Sequence, residues 1–326
     1  MAINKAMLMA LKAISNQEID LKKDYQKRRQ FNNATHPYIR NPYKMWDHKV
    51  IAGEHEVPVR VFFPDIDKYD GKIMIYFHGG GWVTGSIDSY SNVCRNLSKL
   101  TGHIVVSVDY RLAPEHPFPE GLEDCYAVAR EIFMDATLFD SKPEDIVLIG
   151  DSAGGNLAAV VSLMARDRGE FLPTKQILIY PLVASDHSEN SPYPSVHENG
   201  ADYLLTTRQI NDYMELYKTR DEDMESPYVA PILSKDLSNQ PRTLIITAEY
   251  DPLRDEGEAY GRKLYEFGND VEVFRMKDAV HGFFSLPKRF IHPKRTYELI
   301  NRFLEGSETF SHPIMNGLAT KGLLVY

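Results

Sequence analysis

From about residue 57 onward the chain alternates short, apolar, β-branched runs with longer stretches whose apolar residues recur at helical spacing. No other feature restricts the fold as much, because strands separated by covering helices must run mostly parallel and bury both faces of their sheet. The runs are Val57 to Phe63, Lys72 to Phe77, His103 to Asp109, Asp145 to Ile149, Lys175 to Tyr180, Thr243 to Thr247 and Val271 to Phe274. Pro58, which has no amide to donate, marks the first run as an edge position. Helical patterns over Gly121 to Phe139, Asn156 to Arg168, Glu256 to Phe267 and Lys294 to Leu304 supply the covering layers.

Two regions break the alternation: residues 1 to 50, and the segment from Ser185 to Asn239 between two predicted strands. A connection of that length exceeds ordinary loops and should carry structure of its own. Thr206 to Tyr217 reads as an amphipathic helix capped by Thr206 or Thr207. Tyr193, Tyr203, Tyr213, Tyr217 and Tyr228 lie in the same segment. The expected organisation is therefore a set of N-terminal cap helices (1–50), an α/β catalytic domain (51–184 and 240–326) and a cap insertion (185–239).

The chemistry is concentrated where strands end. Gly150-Asp151-Ser152-Ala153-Gly154 follows a predicted strand and opens a predicted helix, the context of a nucleophile elbow. Small flanking residues allow a sharp turn that lifts the Ser152 hydroxyl above the sheet, next to the amides at the start of the helix. His78-Gly79-Gly80-Gly81-Trp82 follows another strand, and its glycines can turn amides toward an oxyanion together with the amide of Ala153. A serine hydroxyl needs a base, and that base needs an orienting acid. In the order serine, acid, histidine, the candidates are Asp251, just beyond the strand Thr243 to Thr247, and His281, beyond the strand Val271 to Phe274. Asp255 is the rival acid, although the first turn of a helix suits a carboxylate for its own reasons.

A formal net charge of -9 disfavours a nucleic-acid partner. Cys94 and Cys125 lack ligand or disulfide-framework spacing and read as buried thiols. The N-terminus, interrupted by Lys5 and Lys12, reads as a helix and not as a signal peptide, and no run is long enough to span a membrane, so a cytoplasmic protein is expected. No metal-ligand cluster and no phosphate or dinucleotide loop is present, so neither a metal nor a cofactor is implied.

The chain resembles the hormone-sensitive-lipase-like branch of α/β-hydrolases, the family IV carboxylesterases. The resemblance rests on HGGGW at His78, on the run from Asp109 to Pro119, on GDSAGGN at Gly150, on DPLRDEG at Asp251 and on HGF at His281. It implies an eight-stranded, mostly parallel sheet with flanking helices and a helical cap. It also implies that Gly80, Gly81 and Ala153 donate to the oxyanion, with His78 and Gly79 supporting the loop, and that short-chain acyl esters are the substrates. The run from Asp109 to Pro119 is expected to be structural. The resemblance also raises a homodimer paired through the edge strand near Val271 to Phe274. Asp278, three residues before His281, lies outside the pattern and could act on the imidazole or point to solvent. Amide or peptide hydrolysis by the same triad, and a non-catalytic small-molecule receptor, stand as alternatives.

Overall fold

The computed structural model describes residues 5–15, 20–35, 44–65, 70–306 and 323–325. Its strands are β1 (Met45–Ala52), β2 (His55–Phe62), β3 (Ile73–Phe77), β4 (Ile104–Val108), β5 (Ile146–Asp151), β6 (Lys175–Ile179), β7 (Arg242–Tyr250), β8 (Val271–Val280) and β9 (Leu323–Val325). They form one sheet in the order β1-β2-β4-β3-β5-β6-β7-β8-β9. The β1–β2 and β2–β4 pairs are antiparallel and all the others parallel. The expected α/β architecture with eight strands is present, and a ninth, short strand is added at one edge.

The described helices are α1 (Lys5–Ser15), α2 (Leu21–Thr35), α3 (Ser91–Thr101), α4 (Glu120–Met134), α5 (Ala153–Arg168), α6 (Pro194–Asn199), α7 (Thr207–Tyr217), α8 (Arg254–Glu266) and α9 (Ile291–Glu305). Alternation along β3 shows how they cover the sheet. Ile73, Ile75 and Phe77 join one core with residues of α4, α5 and α8, such as Ala129, Val160 and Leu264. Met74 and Tyr76 join the other with residues of α3 and α9, such as Leu97 and Ile300. All five β3 side chains are buried, and each such burial stabilises by roughly 1.5–3 kcal/mol. That two-sided burial is why these strands read as unbroken apolar runs.

Three features differ from the expectation. Residues 45–50, assigned to cap helices, belong to β1. Its side chains are mostly exposed, so the strand has no apolar alternation to betray it. Helix α3, not anticipated, buries Val93, Cys94 and Leu97 on one face. At the opposite edge of the sheet, Leu323–Val325 pair with Val273, Phe274 and Arg275. The edge considered for a homodimer is therefore occupied by this chain's own terminal strand.

Above the carboxyl ends of the strands, α2 packs against α7. Helix α7 starts at Thr206, whose hydroxyl accepts from the Gln209 amide while the Gln209 side chain accepts from the Thr206 amide, a reciprocal cap. Helix α2 is polar on all sides and buries only Leu21 fully. It is held by side-chain bonds: Arg29 donates to the carbonyls of Val83 (2.6 Å) and Ala113 (2.7 Å) and pairs with Glu115, and Asn32 donates to the Thr84 hydroxyl (3.1 Å). The run from Asp109 to Pro119 thus anchors α2, and Arg111 ties it to α4 through Asp124.

Candidate active site

Ser152 sits between β5 and α5 with φ of 55°, a left-handed conformation that a residue with a side chain adopts only when its surroundings enforce it. The enforcement is visible. The Ser152 amide donates to the Ile179 carbonyl of β6 (2.9 Å), and the Ser152 carbonyl accepts from Asn156 in α5 (3.0 Å). Gly154 lies so close to β3 that a Cβ there would overlap the Phe77 carbonyl.

Strands β7 and β8 run further than their apolar cores suggest, and Tyr250 pairs with Val280 beyond a register shift. The residues that follow this pair are Asp251 and His281, which is how two positions 30 apart in sequence come together. His281 Nδ1 lies 2.7 Å from Asp251 Oδ2, and its Nε2 lies 2.9 Å from the Ser152 hydroxyl oxygen. Asp251 is fully buried, and its other oxygen accepts from the Leu253 amide (2.9 Å). Asp255, the rival acid, is occupied elsewhere: it accepts from the Ser195 amide (2.7 Å) and pairs with Arg254. The Asp278 amide is held by Glu249 (2.7 Å), while both imidazole nitrogens of His281 are taken by Asp251 and Ser152.

Gly80 (φ 122°) and Gly81 (φ 62°) turn the loop after β3 over Ser152, where positive φ favours residues without a Cβ. Both line the same cavity as Ser152, Ala153 and His281. Ala153 is the first residue of α5, where a helix leaves its amides unsatisfied. Tyr213 of α7 packs on Gly81 so closely that a side chain at Gly81 would strike its ring.

His78 is buried, with Nδ1 2.9 Å from the Gly79 carbonyl and its ring stacked on Tyr110 at 4.3 Å. Burial lowers its pKa, so it stays neutral and structural. Asp151, given no role from sequence, is the hub of the loop. Its oxygens accept from the Gly79 amide (2.9 Å) and from the hydroxyls of Tyr76 (2.7 Å), Tyr90 (3.2 Å) and Tyr180 (3.4 Å). Burial nonetheless pushes its carboxyl above the ordinary range. Its one signal in sequence is a carboxylate ending a fully apolar strand.

The cavity over Ser152 has a volume of about 510 Å³. Its walls include Leu182, Leu204, Leu205, Ile210 and Leu286 as well as Tyr213. Of the five tyrosines in the segment from Ser185 to Asn239, Tyr213 lines it. Tyr217 instead stacks on Trp82 (4.2 Å, 5°) and Tyr203 on Tyr250 (4.9 Å).

Such an arrangement can move a proton from a hydroxyl to an imidazole as the hydroxyl attacks a carbonyl, with amides facing the developing charge. Comparison with known proteins points the same way. The profile of a family described as alpha/beta hydrolase fold matches residues 74–285. An arylesterase of Saccharolobus solfataricus is 37% identical over 243 residues, 74% of this chain and 78% of that protein. A carboxylesterase of Mycobacterium tuberculosis is 38% identical over 235 residues, 71% of this chain and 72% of that one. The solved structure of a hyperthermophilic esterase from Pyrobaculum calidifontis superposes with a TM-score of 0.81 at 34% identity, covering 94% of this chain and 98% of that one.

Proposed function

Since this chain belongs to the α/β-hydrolase family, in its hormone-sensitive-lipase-like branch, we propose that it is a carboxylic ester hydrolase whose nucleophile is Ser152. The observation that carries this reading is the unbroken line of hydrogen bonds from Asp251 through His281 to Ser152, at 2.7 and 2.9 Å, opening on the cavity. His281 Nε2 takes the serine proton as the hydroxyl oxygen attacks the ester carbonyl carbon. Asp251 holds the imidazole with its Nδ1 proton inward and stabilises the imidazolium. The amides of Gly80, Gly81 and Ala153 face the oxyanion. The tetrahedral intermediate collapses, and the leaving alcohol takes the proton from His281. Water, deprotonated by the same imidazole, then attacks the acyl-enzyme, frees the acid and restores Ser152.

The division of the chain belongs to the same reading. The sheet and its helices carry the chemistry, and α2, with the segment 185–239 including α7, caps it. A cavity of about 510 Å³ with aliphatic walls suits a small ester with a short acyl chain. Two free, buried cysteines support a reducing compartment, the cytoplasm. Among the described residues no helix is long and apolar enough to cross a membrane.

The test is hydrolysis of p-nitrophenyl acetate, butyrate, octanoate and palmitate by the wild type and by Ser152→Ala. Turnover of the short chains that disappears in the variant is the expected result. A wild type inert on every ester, or a variant that retains the rate, would overturn the proposal. Ester and amide analogues of one acyl group, compared side by side, separate esterase from amidase.

A further inference from the structure

Among the residues lining the cavity over Ser152, only three are ionic: Arg28, Asp151 and His281. Two of these are committed. Asp151 is enclosed by the Gly79 amide and the hydroxyls of Tyr76 and Tyr90, and His281 is held between Ser152 and Asp251. Arg28 is different. Its neighbours on α2 each have a carboxylate: Lys23 pairs with Asp20, Lys27 with Asp24 and Arg29 with Glu115. Arg28 has none among the described residues, and its buried Nε has no hydrogen-bond partner. Its neighbours on the cavity side are neutral. The guanidinium carbon lies 5.9 Å from the centre of the Phe31 ring, and the group reaches the phenol of Tyr213.

The position of Tyr213 sets the geometry. Its ring begins against Gly81, and its hydroxyl end meets Arg28 and Thr84. Arg28 therefore stands one tyrosine length from the loop that faces the reacting carbonyl, beyond the reacting atoms but inside the same cavity. A partly buried cation with an unused donor costs stability unless something completes it.

We propose that Arg28 selects esters that carry a second, free carboxylate, of which half-esters of dicarboxylic acids are the simplest. The planar guanidinium pairs with that carboxylate while the ester carbonyl lies against Ser152 and the amides of Gly80 and Gly81. Arg28 is thereby a specificity residue and takes no part in proton transfer. The inference rests on the ester-hydrolase reading, and its test keeps the two apart.

Rates are followed by pH-stat on two matched pairs. Monoethyl glutarate is set against ethyl pentanoate, with the charge on the acyl side, and 4-acetoxybutyrate against butyl acetate, with the charge on the alcohol side. The quantity read is the ratio of kcat/KM, charged over neutral. In the wild type at low salt, that ratio should fall severalfold for at least one pair as ionic strength rises and screens the contact. In Arg28→Met it should fall about tenfold, mostly through KM, as expected when a contact remote from the reacting atoms is lost. Arg28→Lys should recover part of it. Equal losses on charged and neutral esters would mean that Arg28 only props Tyr213, and an unchanged ratio in both pairs would mean that no carboxylate is read; either overturns the proposal. The salt dependence of the wild type decides the matter without any variant, should Arg28→Met fold poorly. Failure of every ester, neutral ones included, would instead sink the hydrolase reading itself.

Discussion

Gly154→Ala sets two physical effects against each other. Gly154 is the second residue of α5 and has no positive φ, so alanine fits its backbone and helix propensity alone predicts a gain of up to about 1 kcal/mol. The packing predicts the reverse. Besides overlapping the Phe77 carbonyl oxygen, a Cβ there would lie 2.6 Å from the Phe77 carbonyl carbon and 2.7 Å from that of His78. Ordinary contact begins at 3.4 Å, so these atoms must retreat by 3.4 − 2.6 = 0.8 Å and 3.4 − 2.7 = 0.7 Å. All are backbone, and none can swing aside. The shift falls between the Ser152 elbow and the glycine loop, the two parts whose spacing the chemistry needs. A displacement approaching 1 Å costs on the order of 100-fold in rate, or about 2.7 kcal/mol of barrier. Overpacking should remove roughly 1–3 kcal/mol of stability as well. The assay is steady-state hydrolysis of p-nitrophenyl butyrate beside urea unfolding, with Gly155→Ala as control. There a Cβ would meet Pro181 at 3.0 and 3.2 Å and the Gly150 carbonyl oxygen at 3.3 Å, all milder contacts than those at Gly154, and the loss should be several times smaller. A folded Gly154→Ala enzyme within threefold of the wild type would refute the claim that this backbone contact fixes the site.

Asp251→Asn should lower kcat by about 10⁴ by leaving the imidazole in the wrong tautomer, while Asp255→Asn, whose carboxylate serves Ser195 and Arg254, should keep most of the rate; a reversed order in the same assay would exchange their roles. Burial holds the Asp151 carboxyl above the ordinary range, so the folded chain keeps that proton to higher pH than the unfolded chain does. The stability tied to it is present below the unfolded pKa and is lost as pH rises through the folded one. Asp151→Asn should therefore gain on the wild type in urea unfolding as pH rises above the ordinary carboxylate range. A difference independent of pH would remove burial as the dominant cause.

The catalytic centre was legible because each of its parts is a local pattern at a strand end. Ser152 stands in a strand-turn-helix frame, three glycines follow β3, and Asp251 and His281 each sit just past an apolar run. What brings the last two together was less visible. The apolar run of β8 ends at Phe274, after which Arg275, Lys277 and Asp278 interrupt it; the strand continues to Val280 because its pairing with β7 is carried by backbone, which side-chain polarity does not disturb. Strand β1 is hidden from the sequence in a similar way, since an exposed edge strand leaves no apolar periodicity. Among the cap tyrosines, Tyr203 and Tyr217 stack on aromatic neighbours, and Tyr213 lines the cavity beside Tyr90 and Phe31. Asp151 and Arg28 could not be weighed from sequence at all, because a single charge has meaning only once its partners are known.

The loop from His78 to Gly85 is fastened on both sides. Below, Gly79 is tied to Asp151; above, Trp82 stacks on Tyr217 of α7, and Val83 and Thr84 receive Arg29 and Asn32 of α2. A helical cover joined in this way is not a lid on a hinge, because lifting either helix pulls on the segment that carries Gly80 and Gly81. Substrates should therefore enter with the cover in place, and the rate should change smoothly through the micellar limit of a long-chain ester. On warming, catalysis and the seating of α2 and α7 should fail at one temperature, with no range in which the cover has come away and the enzyme still turns over.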